Sequence, residues 1–380
     1  MPRASSPDAA TQTDRTDTTD RAHRTAVITA DTPMLPADDN FHPAPEGDPY
    51  WAETTWWSFN IPERKIGCWL HATFHTTRRT VTWRVYLWDP RGAFPDKLRY
   101  FRMQTEVPVT DPNPDLRDIT IPGGGFSVRM LRPLREYQIE FADAAADFAI
   151  RLHFEGLHDP RRFTPGEPPF MNHTHFDQVG HVTGALTLDG EHIPIDCYSV
   201  RDRSWAPRGA PRPPRKPDSG RPTDDSGRVL HPGGPLWRQI ERERGRGRIQ
   251  YVFAHTGPEA GFLAFVRVAE GRPDGWSPLN HGWLLRDGEF ASLDKPASSM
   301  KNYRDPATGW SSHMELQLTD TLGRRMATEG FTVSHISEYG SGSTALMRFD
   351  MDGRIGWGED QDIWAPKHFA RMRDALQAVR

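Results

Sequence analysis

Alternation of apolar and polar residues dominates this chain from Tyr50 onward. Residues 80–89, TVTWRVYLWD, place Val81, Trp83, Val85 and Leu87 on one face and Thr82, Arg84, Tyr86 and Trp88 on the other. That period of two is the signature of a strand, and aromatic residues on both faces predict a strand covered on both sides. Similar segments recur at 65–75, 98–105, 126–131, 137–141, 148–154, 179–188, 192–200, 249–255, 262–268, 281–285, 313–318, 331–336 and 344–349. Clusters such as DPRG, DPNPD, IPGGG and MDG separate them. Many short strands at spacings of roughly 8–12 residues with these turn signals predict an all-β barrel or sandwich. One segment departs from the pattern. Over 365–380, Phe369, Met372, Leu376 and Val379 recur at helical spacing and Pro366 suits a first helical turn, which predicts a C-terminal helix near 366–379.

Composition then sets the domain limits. Residues 1–45 are rich in Thr, Asp, Ala and Pro and carry almost no large apolar side chains, so they read as a disordered tail. TPGEPP, between Phe163 and Phe170, reads as a linker dividing an N-terminal β domain (46–165) from a C-terminal one (170–380). Residues 206–235 are dense in Pro, Gly, Ser and charge, which predicts a long surface loop or lid. A lid beside a site could gate it, and a tolerated insertion with no role is the alternative.

At 380 residues the chain is long enough for two cores. A formal net charge of −4 argues against a nucleic-acid binder or a polybasic membrane-surface protein and favours small-molecule chemistry. Cys68 and Cys197 are too few and too isolated for a disulfide framework or a thiolate metal site and fit small core residues. The polar N-terminus lacks the apolar region of a secretory signal, and no run approaches the roughly 20 apolar residues that span a bilayer. A soluble cytoplasmic protein with no integral membrane segment is expected.

The chemistry concentrates between His175 and Arg208. Two alternating segments meet at Asp189-Gly190, a pair that tolerates the positive φ of a two-residue hairpin. They run into Arg201-Asp202-Arg203-Ser204-Trp205, read as a strand end. An aspartate among Trp residues loses solvation and becomes easier to protonate, while arginines oppose this. Neighbouring side chains on a strand point to opposite faces, so Arg201 and Arg203 need not face Asp202, whereas Ser204 does. A structural ion pair between Asp202 and an arginine such as Arg208 is the alternative. His173, His175 and Asp177 form an H-x-H-x-D run on one strand face. A metal there would need a further ligand, and scattered, solvated or hydrogen-bonded histidines are the commoner outcome; a proton relay beside Asp202 is favoured over a metal. The thirteen tryptophans serve a core or a ligand cavity, and pattern alone does not sort them. IPGGGF reads as a turn, RERGRGR (242–248) as a hairpin turn diluted by glutamates, and the chain has neither a G-x-S-x-G nor an H-E-x-x-H motif.

The run from Gly184 to Arg208, with its Asp-Gly turn followed by Arg-Asp-x-Ser-Trp-x-x-Arg, resembles the central signature of a lipocalin-like (calycin) superfamily. That superfamily includes hydroxyneurosporene synthase, tocopherol cyclase, AttH-type proteins and related Diels-Alderases. The closest resemblance is to a bacterial branch with two paired β domains, and it spans about residues 51–364. It implies two consecutive lipocalin-like β-barrel or sandwich domains with a hydrophobic cavity at or between them. It also implies a lipophilic, isoprenoid- or steroid-like substrate that undergoes acid-type hydration, dehydration or cyclisation. By the same resemblance Asp202 matches the family's acidic residue and Trp205 its aromatic partner. Arg203 stands where a histidine is expected, and Ala206-Pro207 where a glycine-containing turn is expected. The expected site is thus Asp202 as proton donor with His175, and Trp205, Arg201, Arg208, Ser204 and Asp177 around the substrate. No metal or organic cofactor is required. A non-catalytic carrier of lipophilic metabolites is the alternative.

Overall fold

The computed structural model describes residues 33–44, 48–163, 174–208, 248–266, 275–338, 342–364 and 366–378. Its strands form two antiparallel sheets. The first contains β1 (Trp51–Ile61), β2 (Ile66–His75), β3 (Thr80–Trp88), β4 (Tyr100–Pro108), β5 (Asp118–Thr120), β6 (Ser127–Arg132), β7 (Glu136–Asp143), β8 (Phe148–Gly156), β9 (Arg161–Arg162), β10 (Thr174–Leu188) and β11 (Glu191–Pro207). Its order is β4-β3-β2-β1-β11-β10-β8-β7-β6-β5, with β9 beside β10. The second contains β12 (Arg248–His255), β13 (Ala260–Val266), β14 (Trp276–Pro278), β15 (His281–Arg286), β16 (Glu289–Ser292), β17 (Ser299–Arg304), β18 (Ser311–Thr319), β19 (Arg325–Glu338), β20 (Gly342–Met351) and β21 (Arg354–Trp364). Its order is β14-β17-β18-β19-β20-β21-β12-β13-β15-β16. Helix α1 (Pro366–Ala378) follows and buries Phe369 and Met372 against Trp364. This is an all-β architecture of two curled half-barrels with one short terminal helix.

Side-chain alternation builds three apolar layers. Cys68, Leu70, Trp83, Val85, Ile150, Leu186 and Ile195 fill the first half-barrel. Val252, Ala264, Leu316, Met347 and Phe349 fill the second. The third layer lies between the sheets and joins Trp56, Trp69, Trp88, Val179 and Val200 of the first to Tyr251, Phe253, Phe265 and Trp283 of the second. The aromatic residues on both faces of β3 are explained by this: Trp83 faces its own half-barrel and Trp88 faces the other sheet. Gly67 makes room for Trp88, since a Cβ there would fall 2.3 Å from the indole ring. Two buried hydrogen bonds fasten the sheets together, Trp69 Nε1 to Glu359 Oε2 at 2.7 Å and Tyr251 OH to Asp177 Oδ1 at 3.1 Å.

The Asp189-Gly190 turn forms as the sequence predicts, with φ of 52° and 78°. It pairs Leu188 with Glu191 and fixes the register of the long β10–β11 ladder. Both cysteines are buried and free.

Three expectations change. The 163–170 segment does not divide the sheets, because β10 and β11 follow it yet pair with β8 and β1. The passage from one sheet to the other falls between Arg208 and Arg248. Residues 33–44 belong to the fold, since Asp39 at the end of a 3-10 turn (Pro36–Asp39) is 4% exposed and receives Arg201 Nη1 at 2.9 Å. The segment is tied down by this ion pair together with Met34, buried beside Trp51 and Trp205, and Phe41, edge-on to Phe74 at 5.0 Å. Ala206 and Pro207, placed in the predicted loop, end β11, and residues 209–235 of that loop, like 1–32 of the tail, lie outside the described residues. Strand β21 escaped prediction because Gly356 and Gly358 and four consecutive polar residues, Glu359 to Asp362, break its alternation.

Candidate functional site

The β10–β11 register decides which charged residues meet. Along β11, Arg201, Arg203 and Trp205 turn into the first half-barrel, while Val200, Asp202 and Ser204 turn toward the second sheet. Asp202 is the cross-strand partner of Asp177, and Ser204 that of His175. On its other side Asp202 neighbours Trp56 of β1, which neighbours His71 of β2, which neighbours Arg84 of β3. Arg161 of β9 pairs with Asp177. The result is one transverse row: Arg84, His71, Trp56, Asp202, Asp177, Arg161. A second row, Tyr251, Phe265 and His281 of β12, β13 and β15, runs across the facing sheet.

The two rows touch at Asp177. Its Oδ1 accepts from Tyr251 OH at 3.1 Å and lies 3.1 Å from His175 Nε2. The Tyr251 ring meets Trp56 edge-on at 6.3 Å. Phe163 packs edge-on against the His175 ring at 5.0 Å and lies tilted against the His281 ring at 4.1 Å. His175, Asp177 and Asp202 each bring one ligand-type atom within 4.8 Å of the others, a set that could also hold a metal ion. In this structure Asp177 joins it to His175 and Tyr251 by hydrogen bonds, the arrangement of a proton-sharing cluster.

Burial between the sheets sets the charges. Asp202 is pushed up to about 7, first by lost solvation and then by the Asp177 carboxylate, against the opposing pull of His175, Arg208 and Arg203. For His175, burial disfavours the imidazolium, but Asp177 and Asp202 outweigh it and leave its pKa raised. Burial, with Asp177 and Asp202, holds the Tyr251 hydroxyl far above its ordinary value, so it stays a donor. Burial, with Lys295 and His175, lowers His281 to about 3, and burial, with Arg84 and Arg208, drives His71 well down. Asp202 is therefore the carboxyl of this group held far above the ordinary carboxylate range. Asp177 is buried and Asp202 is partly exposed.

Of the residues expected at the site, Asp202, His175, Asp177 and Ser204 share this face. Arg208 donates to Ser204 Oγ, whose hydroxyl also pairs with Thr54 Oγ1 at 2.7 Å. Arg201 is elsewhere. Its guanidinium is 1% exposed inside the first half-barrel, donating to Asp39, to Gln178 at 2.7 Å and to Tyr137 OH at 2.9 Å. Trp205 is elsewhere too, stacked on His42 at 3.9 Å and edge-on to Phe176. Strand alternation is the physical reason: 201, 203 and 205 cannot share a face with 202. Arg203 bonds Glu53 at 2.9 Å and the Thr54 carbonyl at 2.8 Å in the same interior network. Asp202 lies within β11, five residues before its last residue and not at a strand end. His173 lies outside the described residues. Sequence reasoning missed Tyr251, Phe163 and His281 and left Trp56 among tryptophans it did not sort, because an aromatic side chain looks the same in sequence whether it fills a core or lines a site.

Residues 35–216 match the model of a family described as a domain of unknown function (DUF7064). The match ends just past β11 and thus takes in the first sheet. No curated protein matches the chain. Among solved structures, the chain is similar to a protein from Nitrosomonas europaea provisionally described as AttH, with a TM-score of 0.53 and 12% identity over 90% of this chain and 99% of that one. It also aligns with kievitone hydratase from Nectria haematococca (TM-score 0.49, 9% identity, 90% and 95% covered). CghA gives a TM-score of 0.49 at 14% identity, with 90% and 97% covered. The chain shares the fold of the AttH-type structure, the architecture that the resemblance at Gly184 to Arg208 implied. At 12% identity the likeness to the AttH-type structure concerns the fold, and chemistry must be argued from residues. No helix among the described residues is long and apolar enough to cross a membrane.

Proposed function

We propose that this protein is an acid catalyst for a lipophilic, isoprenoid- or steroid-like molecule bound between the two sheets, with Asp202 as the proton donor. One observation carries the reading. Asp202 is a partly exposed carboxyl held protonated up to near neutral pH, set in a row beside Trp56 and facing a sheet that presents Tyr251 and Phe265. A group poised near the working pH gives the best balance of protonation and driving force. The indole and phenyl faces around it stabilise positive charge as it develops on carbon.

In a hydration, the Asp202 proton passes to the alkene carbon and leaves a carbocation. Water adds to the cation, and the resulting oxonium returns its proton to the Asp202 carboxylate, so the net change is addition of one water. In a cyclisation an internal π bond captures the cation, and a C–H proton returns to the carboxylate. His175, paired with Asp177, keeps a proton-sharing neighbour beside Asp202. Ser204, held by Arg208 and Thr54, offers a hydroxyl on the same face for water or a polar end of the ligand.

The test is organic extraction and mass spectrometry of the full chain purified from an isoprenoid-rich lysate, with Asp202→Asn alongside. A hydrated or cyclised lipid on the wild type and its precursor on the variant support the reading. The same lipid on both proteins identifies a carrier and overturns the catalytic assignment.

A further inference from the structure

Tyr251 belongs to β12, in the sheet that contributes none of His175, Asp177 and Asp202. Its hydroxyl nevertheless reaches Asp177 Oδ1 at 3.1 Å, the oxygen that also faces His175 Nε2. Asp177 is 0% exposed and Tyr251 5% exposed, so this hydrogen bond replaces solvation that the carboxylate lost on burial. Asp177 stands directly across the ladder from Asp202. Two carboxylates this close do not both ionise easily, and the one better supplied with donors keeps the negative charge. Asp177 has the phenol and the imidazole as hydrogen-bond partners, and Asp202 is the carboxyl pushed up by burial and by Asp177.

We propose that Tyr251 is a positioning residue supplied by the second sheet, which by donating to Asp177 keeps the shared proton on Asp202. This rests on the reading of Asp202 as the acid. The other polar and charged groups facing the pair are His175 of β10, Ser204 of β11 with Arg208 after it, Thr54 of β1, His71 of β2, Arg161 of β9 and His281 of β15. Arg203 acts on Asp202 from the opposite face of β11, and Glu359 of β21 acts on Tyr251. Tyr251 donates to Asp177 from the far side of the boundary, which makes the acid dependent on docking of the two half-barrels.

The experiment is infrared difference titration of the full-length protein between pH ~4 and ~9, following the carbonyl band of protonated carboxyl groups. The Asp202 band is identified by its loss in Asp202→Asn. In Tyr251→Phe its midpoint falls by about half a pH unit or more, the scale of one hydrogen bond to a charged group. Replacing Tyr251 with 3,5-difluorotyrosine, a stronger donor of the same shape, moves the midpoint the other way, which a merely structural role would not do. Should Tyr251→Phe fail to fold, Asp177→Asn removes the neighbouring charge from the first sheet and also lowers the midpoint. An Asp202 band that stays in place in both Tyr251 variants overturns this inference and leaves the acid reading standing. If Asp202→Asn removes no band near neutral pH, Asp202 does not hold the proton and both readings fall.

Discussion

Asp202 and Asp360 are two aspartates with the same perturbation and different surroundings. Each lies on a long strand that closes its sheet's chain order, β11 and β21. Each is pushed up to about 7, first by burial and next by a neighbouring aspartate, Asp177 or Asp362. Asp360, however, turns into the second half-barrel, 1% exposed, with Gln250 Nε2 donating to it at 2.7 Å. Beside it Asp362 is clamped by Arg248 at 2.7 Å and by Arg304 at 2.5 Å, and the Trp364 ring lies near both guanidinium groups. Asp202 turns outward to the inter-sheet face, where a ligand could approach. A perturbed acidity marks burial in both half-barrels, and the face of the strand separates a sealed ionic lattice from a candidate site.

Four experiments sharpen or break that contrast. Asp202→Asn should lower turnover of the native lipid by about 10²–10⁴-fold without loss of fold, while Asp360→Asn should leave turnover within about twofold; product analysis and circular dichroism on both decide it. Comparable losses of turnover would erase the distinction. Next in size, Arg201→Ala strands Asp39, whose carboxyl is held low by Arg201 and Arg203 despite full burial. A cost of about 3–5 kcal/mol in denaturant unfolding is expected, and a change under about 1 kcal/mol would show that the interior network is dispensable.

The third concerns pH. A carboxyl whose folded pKa exceeds its unfolded value of about 3.9 binds more protons in the native state between the two values. Its stabilising contribution is complete below about pH 4 and is lost as pH rises through about 7. Asp202 and Asp360 should each contribute a fall of up to about 1.4 kcal/mol per pH unit in that window. Each Asn variant should remove its own share from the slope, and a slope untouched by Asp202→Asn would contradict its raised acidity. The smallest effect is expected from Trp69→Phe, which takes the indole donor from Glu359 at the sheet-to-sheet boundary. A loss of about 1–3 kcal/mol, read as a lower unfolding midpoint, would confirm that this bond fastens the half-barrels.

Much of the fold was legible because strand alternation is local. Residues 80–88 showed their two faces in sequence, and the hairpin at Asp189-Gly190 announced itself through the positive φ that only certain residues tolerate. Alternation also showed that Ser204, and not Arg201 or Arg203, shares a face with Asp202. The motif order then misled, since Arg201 and Trp205 stand beside Asp202 in sequence and point into the half-barrel. Asp39 was invisible because nothing local distinguishes it from its neighbours in a polar segment; its partner lies 162 residues away.

The sequence by itself determined the all-β class, the terminal helix, the long hairpin and the face on which Asp202 lies, because periods, turns and strand faces depend on residues close along the chain. Tertiary structure alone decided that β10 and β11 close the first sheet, that two arginines of the motif are interior ion-pair partners, and that Tyr251, Phe265 and His281 lie on the sheet facing Asp202. Those facts follow from strand order and from the docking of one sheet on another, and both are set by contacts between residues far apart in sequence whose types carry no record of their partner.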